Sequence, residues 1–165
     1  MKLKRLTKNE KEWVTRYFSS PNLIQEKGAF IGYIGEEYIL RRLRNEGFLV
    51  ARTQNIEENT FNSEELKWLL GLYSKGGKLF NFLEKIPFGL PDFICLKDNE
   101  VSFVEVKSNR AELRERQKEV IELLKSKGYK VDIRRPEVYL FLKENDEEFN
   151  NTPVHFVSKD KLKKS

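Results

Sequence analysis

The sequence predicts an α/β domain, a mixed β-sheet flanked by helices with a helical insertion over about residues 55–88. Three observations predict it. Apolar runs with strand-like alternation separate stretches of helical periodicity, in the order helix, strand, insertion, strand, strand, helix, strand, strand. Two adjacent strand-like runs, 93–96 and 101–107, begin or end on charged residues. With 165 residues, 39% hydrophobic and 12% aromatic, the chain can bury the core of one domain spanning 1–165.

Taken in order, Thr7 and Glu10 read as a capping box opening a short helix at 8–18, with Trp13, Val14, Tyr17 and Phe18 at helical spacing. Ser20-Pro21 reads as an N-cap with proline at the first helical position, and a longer helix is expected over 22–45, capped by Gly47. On that helix Glu36 falls on one face with Ile39, Leu40 and Leu43, whereas Glu37 shares its side with Arg41 and Arg44. Glu36 is thus the lone carboxylate on an apolar stripe. A short strand follows at 48–52. Beyond a polar turn, Leu66, Leu69, Leu70 and Tyr73 mark one helix of the insertion. Gly76-Gly77 is expected to break it, and Leu79, Phe80, Phe82, Leu83 and Ile86 mark a second. Extra core is the first expectation for this insertion, ahead of a dimer surface or a substrate-facing wedge.

The stretch 89–117 organises the rest. Asp92 follows Pro91 at the start of one strand, while Glu105 and Lys107 close the next. Side chains alternate across a strand, so Glu105 and Lys107 share a face, roughly 7 Å apart along the chain. Charges on strands this apolar are costly to bury unless paired or bound to a metal. The helix expected at 112–127 buries Leu113, Val120, Ile121 and Leu124, and Gln117 falls on the same stripe, where an amide needs partners. Arg110, Arg114, Arg116, Lys118, Lys125 and Lys127 dress its other faces. Strands are expected at 129–133, 138–142 and, at an edge, 154–157, before a basic tail at 159–164.

A net charge of +5 biases the protein mildly toward anionic partners such as nucleic acid. One cysteine, Cys95, and one histidine, His155, exclude disulfide frameworks, zinc clusters and iron–sulfur cages. Any metal must be held by carboxylates, which favours Mg²⁺ or Mn²⁺. The basic N-terminus lacks a following apolar run, and no stretch is as long and apolar as a membrane span, so a soluble, intracellular protein is expected.

These residues together suit metal-assisted phosphodiester cleavage. Asp92 and Glu105 are expected to hold the cation with the main-chain carbonyl of Val106, and Glu36 to join the metal shell or hold a metal-bound water. Lys107 is expected to orient water or offset charge on the phosphate, and Gln117 to hydrogen-bond behind the ligands. Arg110, Arg114 and Lys118 are the expected grip on DNA, with RNA not excluded. A non-cleaving nucleic-acid-binding module is the alternative. So is a bland one, with Glu105–Lys107 a surface ion pair and Gln117 at a solvent-facing seam.

Gly89-Leu90-Pro91-Asp92, Glu105-Val106-Lys107 and the helical Gln117 resemble the signature of the PD-(D/E)XK nuclease superfamily, most closely its virus-type replication–repair (VRR-NUC) branch. The helix carrying Gly35-Glu36 and ending at Gly47-Phe48 resembles the first helix of archaeal Holliday-junction resolvases, which bears a metal-site glutamate. The resemblance covers about residues 30–52 and 89–135. It implies a restriction-endonuclease-like fold and Mg²⁺- or Mn²⁺-dependent cutting of DNA, often at flaps or junctions. Resolving a junction takes two active sites, so that activity would imply a homodimer.

Overall fold

A computed structural model describes residues 4–5, 23–56, 58–141 and 155–157. The expected helix at 8–18 and the basic tail at 159–164 lie outside the described residues. The elements are β1 (Lys4–Arg5), α1 (Leu23–Asn45), β2 (Leu49–Arg52), α2 (Ser63–Leu70), α3 (Gly76–Glu84), β3 (Phe93–Lys97), β4 (Glu100–Val106), α4 (Glu115–Ser126), β5 (Lys130–Arg134), β6 (Tyr139–Phe141) and β7 (His155–Val157).

The central sheet runs β2-β3-β4-β5, antiparallel between its first three strands and parallel between β4 and β5. The parallel pair requires a crossover, which α4 supplies. A second, three-stranded sheet has the order β1-β7-β6. Alternation sorts the central strands onto two faces. Phe93, Cys95, Val104 and Val106 pack with Val50 beneath Ile39, Leu40 and Leu43 of α1. Ile94, Leu96, Val101 and Phe103 point the other way, onto Val120 and Leu124 of α4 and the buried leucines of α2 and α3. The result is a helix–sheet–helix sandwich, as the α/β expectation required. The insertion at 55–88 belongs to the core: Leu66, Leu69, Leu70, Leu79 and Leu83 are all at most 2% exposed. Cys95 is buried in the sheet, and burial pushes its thiol pKa up to about 12, so it is an inert apolar filler.

Several boundaries differ from expectation by one to three residues, and two of them bear on packing. The helix expected from 112 begins at Glu115, because Arg114 is extended (φ −75°, ψ 155°) and acts as its N-cap. Leu113 therefore lies ahead of the helix rather than on its stripe. Gly76 opens α3 instead of only ending α2: a Cβ there would collide with the Leu70 carbonyl, so the two helices meet at a point only glycine can occupy.

Candidate active site

The ends of the central strands gather the charged residues. Because β3 runs antiparallel to β2 and β4, its N-terminal end lies beside the C-terminal ends of both, and β5 ends on the same side. Arg52, Asp92, Glu105, Val106 and Lys107 therefore meet at one edge.

Local sequence fixes each of them. Gly89 adopts φ +92°, and a Cβ on it would sit 2.8 Å from Arg116 Cγ of α4. Glycine is thus required twice over, by conformation and by space, and it aims Leu90-Pro91-Asp92 into the start of β3. Thr53, 1% exposed, locks that start: its hydroxyl donates to the Pro91 carbonyl and its N–H to the Asp92 carbonyl at 3.0 Å. The Asp92 carboxylate then accepts the Val106 N–H at 2.8 Å, tying the proline–aspartate turn to the end of β4.

Glu105 is 2% exposed. Its Oε1 lies 3.5 Å from Lys107 Nζ, confirming their shared face, and accepts from Gln117 Nε2 at 3.1 Å. Lys107 is itself anchored through its N–H on the Arg134 carbonyl at 2.9 Å. The same Gln117 accepts the Arg114 N–H at 2.9 Å through Oε1, so one amide caps α4 and holds Glu105. The Glu105–Lys107 pair is no surface ion pair, and the half-buried Gln117 has both ends of its amide engaged.

From the other side of the sheet α1 brings in Glu36. Gly35 makes the approach possible: a Cβ there would collide with Ser108 Oγ, just past Lys107. Glu36 and Asp92 line the same cavity, and Arg52 Nη1 stands 3.7 Å from Glu36 Oε2. Arg52 Nη2 also binds Glu37 at 2.8 Å, and its guanidinium lies 5.0 Å from the centroid of the Phe93 ring. Glu37 therefore pairs with the sheet rather than with the arginines on its own helix side.

The electrostatics follow from crowding. Burial, then the charge of Asp92 and the hydrogen bond to it, raise the Glu36 pKa from 4.5 to about 9 against the pull of Arg52. Burial and the Asp92 charge raise Glu105 to about 8, with Lys107 opposing. Three carboxyls thus share a site with too little positive charge. Glu105 Oε2 is buried with no hydrogen-bond partner, a costly state for an ionised oxygen without a proton or cation on it.

Among the described residues, no three His, Cys, Asp or Glu side chains form a ready-made metal cage. The donor set is narrower: the carboxylates of Asp92 and Glu105, with Glu36 beside them. All are hard oxygen donors, which Mg²⁺ and Mn²⁺ prefer, and the orphaned Glu105 oxygen fits such an ion. A cavity of about 180 Å³ lined by Glu36, Arg52, Thr53, Asn55, Leu90 and Asp92 adjoins the cluster.

The VRR-NUC domain family model matches residues 37–136. The chain belongs to the VRR-NUC family. A VRR-NUC chain is a nuclease domain of the PD-(D/E)XK superfamily, and its substrate class is DNA. The match takes in the sheet, the insertion and α4, and begins one residue after Glu36. A search of curated proteins returned no match.

Arg110, Arg114 and Lys118 are exposed around the start of α4, near Gln117. Lys118 is partly engaged by Glu115 at 3.0 Å. Arg52 and Thr53 escaped sequence reasoning, since a strand-end arginine and a threonine are ordinary surface residues. The available signal was alternation: Val50 and Arg52 share the face that α1 covers. No helix among the described residues is long and apolar enough to cross a membrane.

Proposed function

We propose that this VRR-NUC domain hydrolyses DNA phosphodiester bonds with a divalent cation, Mg²⁺ or Mn²⁺, and that it prefers branched or flapped substrates and junctions. The observation that carries the cation is the buried, partnerless Oε2 of Glu105 beside Asp92 and Glu36. Asp92 and Glu105 would hold the ion, with the Val106 carbonyl as a third donor and Glu36 completing the shell directly or through water. When bound, it supplies Lewis-acid polarisation of the phosphate and lowers the pKa of bound water.

The chain's own groups do the rest. Lys107 presents a cation and N–H donors where charge gathers on the phosphate as water adds and the ester P–O bond breaks. Glu36, which lines the cavity beside Asp92, would orient the attacking water. Gln117 keeps Glu105 oriented. Arg110, Arg114 and Lys118 hold phosphates flanking the cut. A pure binding module has no use for three carboxyls beside phosphates, which they would repel. The likeness of the Gly35-Glu36 helix to that of Holliday-junction resolvases supports the preference for branched DNA. Glu36, Asp92, Glu105, Lys107 and Gln117 all come from one chain, so cleavage itself asks for no second copy.

The test is incubation with flapped, branched, single-stranded and duplex DNA in Mg²⁺, Mn²⁺ or EDTA. Cation-dependent cutting, fastest on flaps or junctions and absent in Asp92→Ala, is the expected result. No cutting by wild type, or equal cutting by Asp92→Ala, refutes the enzyme. Equal rates on all four substrates refute the preference alone.

A further inference from the structure

Phe88 is an exposed aromatic ring on a fixed mount beside the carboxylate cluster. It is 58% exposed, whereas Leu90, two residues on, is buried. Isolated exposed apolar residues are ordinary; what distinguishes this one is how it is held. The Arg116 guanidinium lies over one face of the ring, 5.2 Å from its centroid, and Arg116 Nε donates to the carbonyl of Phe88 itself at 3.3 Å. Glu119 steadies the same guanidinium at 3.2 Å. Gly89, at φ +92° and pressed on Arg116 Cγ, fixes the backbone on the other side. One ring face is thus approached by a cation, while the residue as a whole stays 58% exposed.

The mount is also close to the chemistry. Four residues separate Phe88 from Asp92, a reach of at most about 14 Å. Arg116 immediately precedes Gln117, which holds Glu105. Leu90 lines the cavity that contains Glu36 and Asp92.

We infer that Phe88, backed by Arg116, is a stacking platform for an unpaired nucleobase of the DNA strand being cut, a few nucleotides from the scissile phosphate. The inference rests on the nuclease reading and deepens it. Bases inside a duplex already have both faces stacked, so the platform serves flaps, frayed ends and single strands. Every base has a π-face, so it confers no sequence preference. The guanidinium behind the ring strengthens the stack and adds positive charge near the backbone.

The experiment uses the full chain and a flapped oligonucleotide with 2-aminopurine at successive unpaired positions. Binding is read as fluorescence quenching in EDTA, and cleavage of the same flap and of blunt duplex is read in Mn²⁺. Wild type is expected to quench one or two positions beside the branch. Phe88→Ala and Phe88→Leu lose that quenching, and their ratio of flap to duplex cleavage falls about tenfold, the scale of one lost base stack. Phe88→Trp keeps both. Comparing Phe88→Leu with Phe88→Trp at matched melting temperature separates stacking from a folding role. Wild-type ratios or quenching in Phe88→Leu overturn the platform while leaving the nuclease standing. Failure of wild type to cut any DNA overturns the nuclease, and the platform with it.

Discussion

Two clusters of acids and bases sit a few residues apart in this protein, and they behave oppositely. At the outer edge, Arg134 forks onto Glu46 with contacts of 3.2 and 2.9 Å and reaches Asp132 at 3.1 Å. The guanidinium lowers the Glu46 pKa, so the pair is charged and content. At the strand ends, Glu36, Asp92 and Glu105 crowd together with Lys107 and Arg52, and two of the carboxyls are driven far up instead. Both clusters mix the same residue types. The difference is burial and charge balance: one acid pair with its cation in partial solvent is structure, whereas three crowded acids, one of them buried with an orphaned oxygen, are poised for a ligand.

Among the basic groups the largest effect belongs to Lys107→Ala, expected to slow cleavage by about two to three powers of ten while DNA affinity stays nearly constant. Single-turnover rates alongside a binding isotherm check this. An affinity loss equal to the rate loss would recast Lys107 as a positioning group and weaken the contrast between clusters.

The next effect is on stability, with opposite signs at the two sites. Glu36 and Glu105 have folded pKa values above 4.5, so between that value and about 8–9 the fold keeps protons the unfolded chain has released. Their contribution is therefore full below about 4.5 and is lost as pH rises through 8 to 9. Glu46 contributes above the ordinary carboxylate range and loses its contribution as pH falls. In EDTA the melting temperature should fall from pH 6 to pH 8.5, Mn²⁺ should restore it at the upper pH, and Glu105→Gln should flatten both responses. Identical curves for wild type and Glu105→Gln would deny that the cluster is strained.

The way these sites were legible is instructive. Helical phasing selected Glu36, strand alternation paired Glu105 with Lys107, and the stripe position of Gln117 implied an inward partner. Each is a periodicity within one element. What stayed hidden joins elements far apart in sequence. Arg52 finds Glu36 and Glu37 from α1 and the ring of Phe93, and Thr53 finds the carbonyls of Pro91 and Asp92. No local pattern encodes such contacts. The start of α4 departs from the helical period, which Leu113 fits, because the Arg114–Gln117 cap makes Glu115 the first helical residue. Likewise β1 pairs with β7 across nearly the whole chain, a register no short window contains.

Smaller effects are expected at the surface. Alanine at Arg110 or Arg114 should weaken DNA binding severalfold and lower the slope of log affinity against log salt by about one each. Lys118 should give less, because Glu115 already neutralises part of its charge. A flat salt response in wild type would remove these residues from the interface. Smallest of all, Arg134→Ala should cost about 1 kcal/mol or less in stability and leave the Mn²⁺ response intact, as befits an exposed pair.

The most direct measurement is Mn²⁺ binding by calorimetry together with flap cleavage for wild type and Asp92→Asn, which nearly preserves shape while removing one charge. The account predicts that wild type binds Mn²⁺ and cuts, and that Asp92→Asn, still folded and still binding DNA, loses the ion and the cleavage together. Undiminished cleavage in Asp92→Asn, or wild-type cleavage in EDTA, would contradict it.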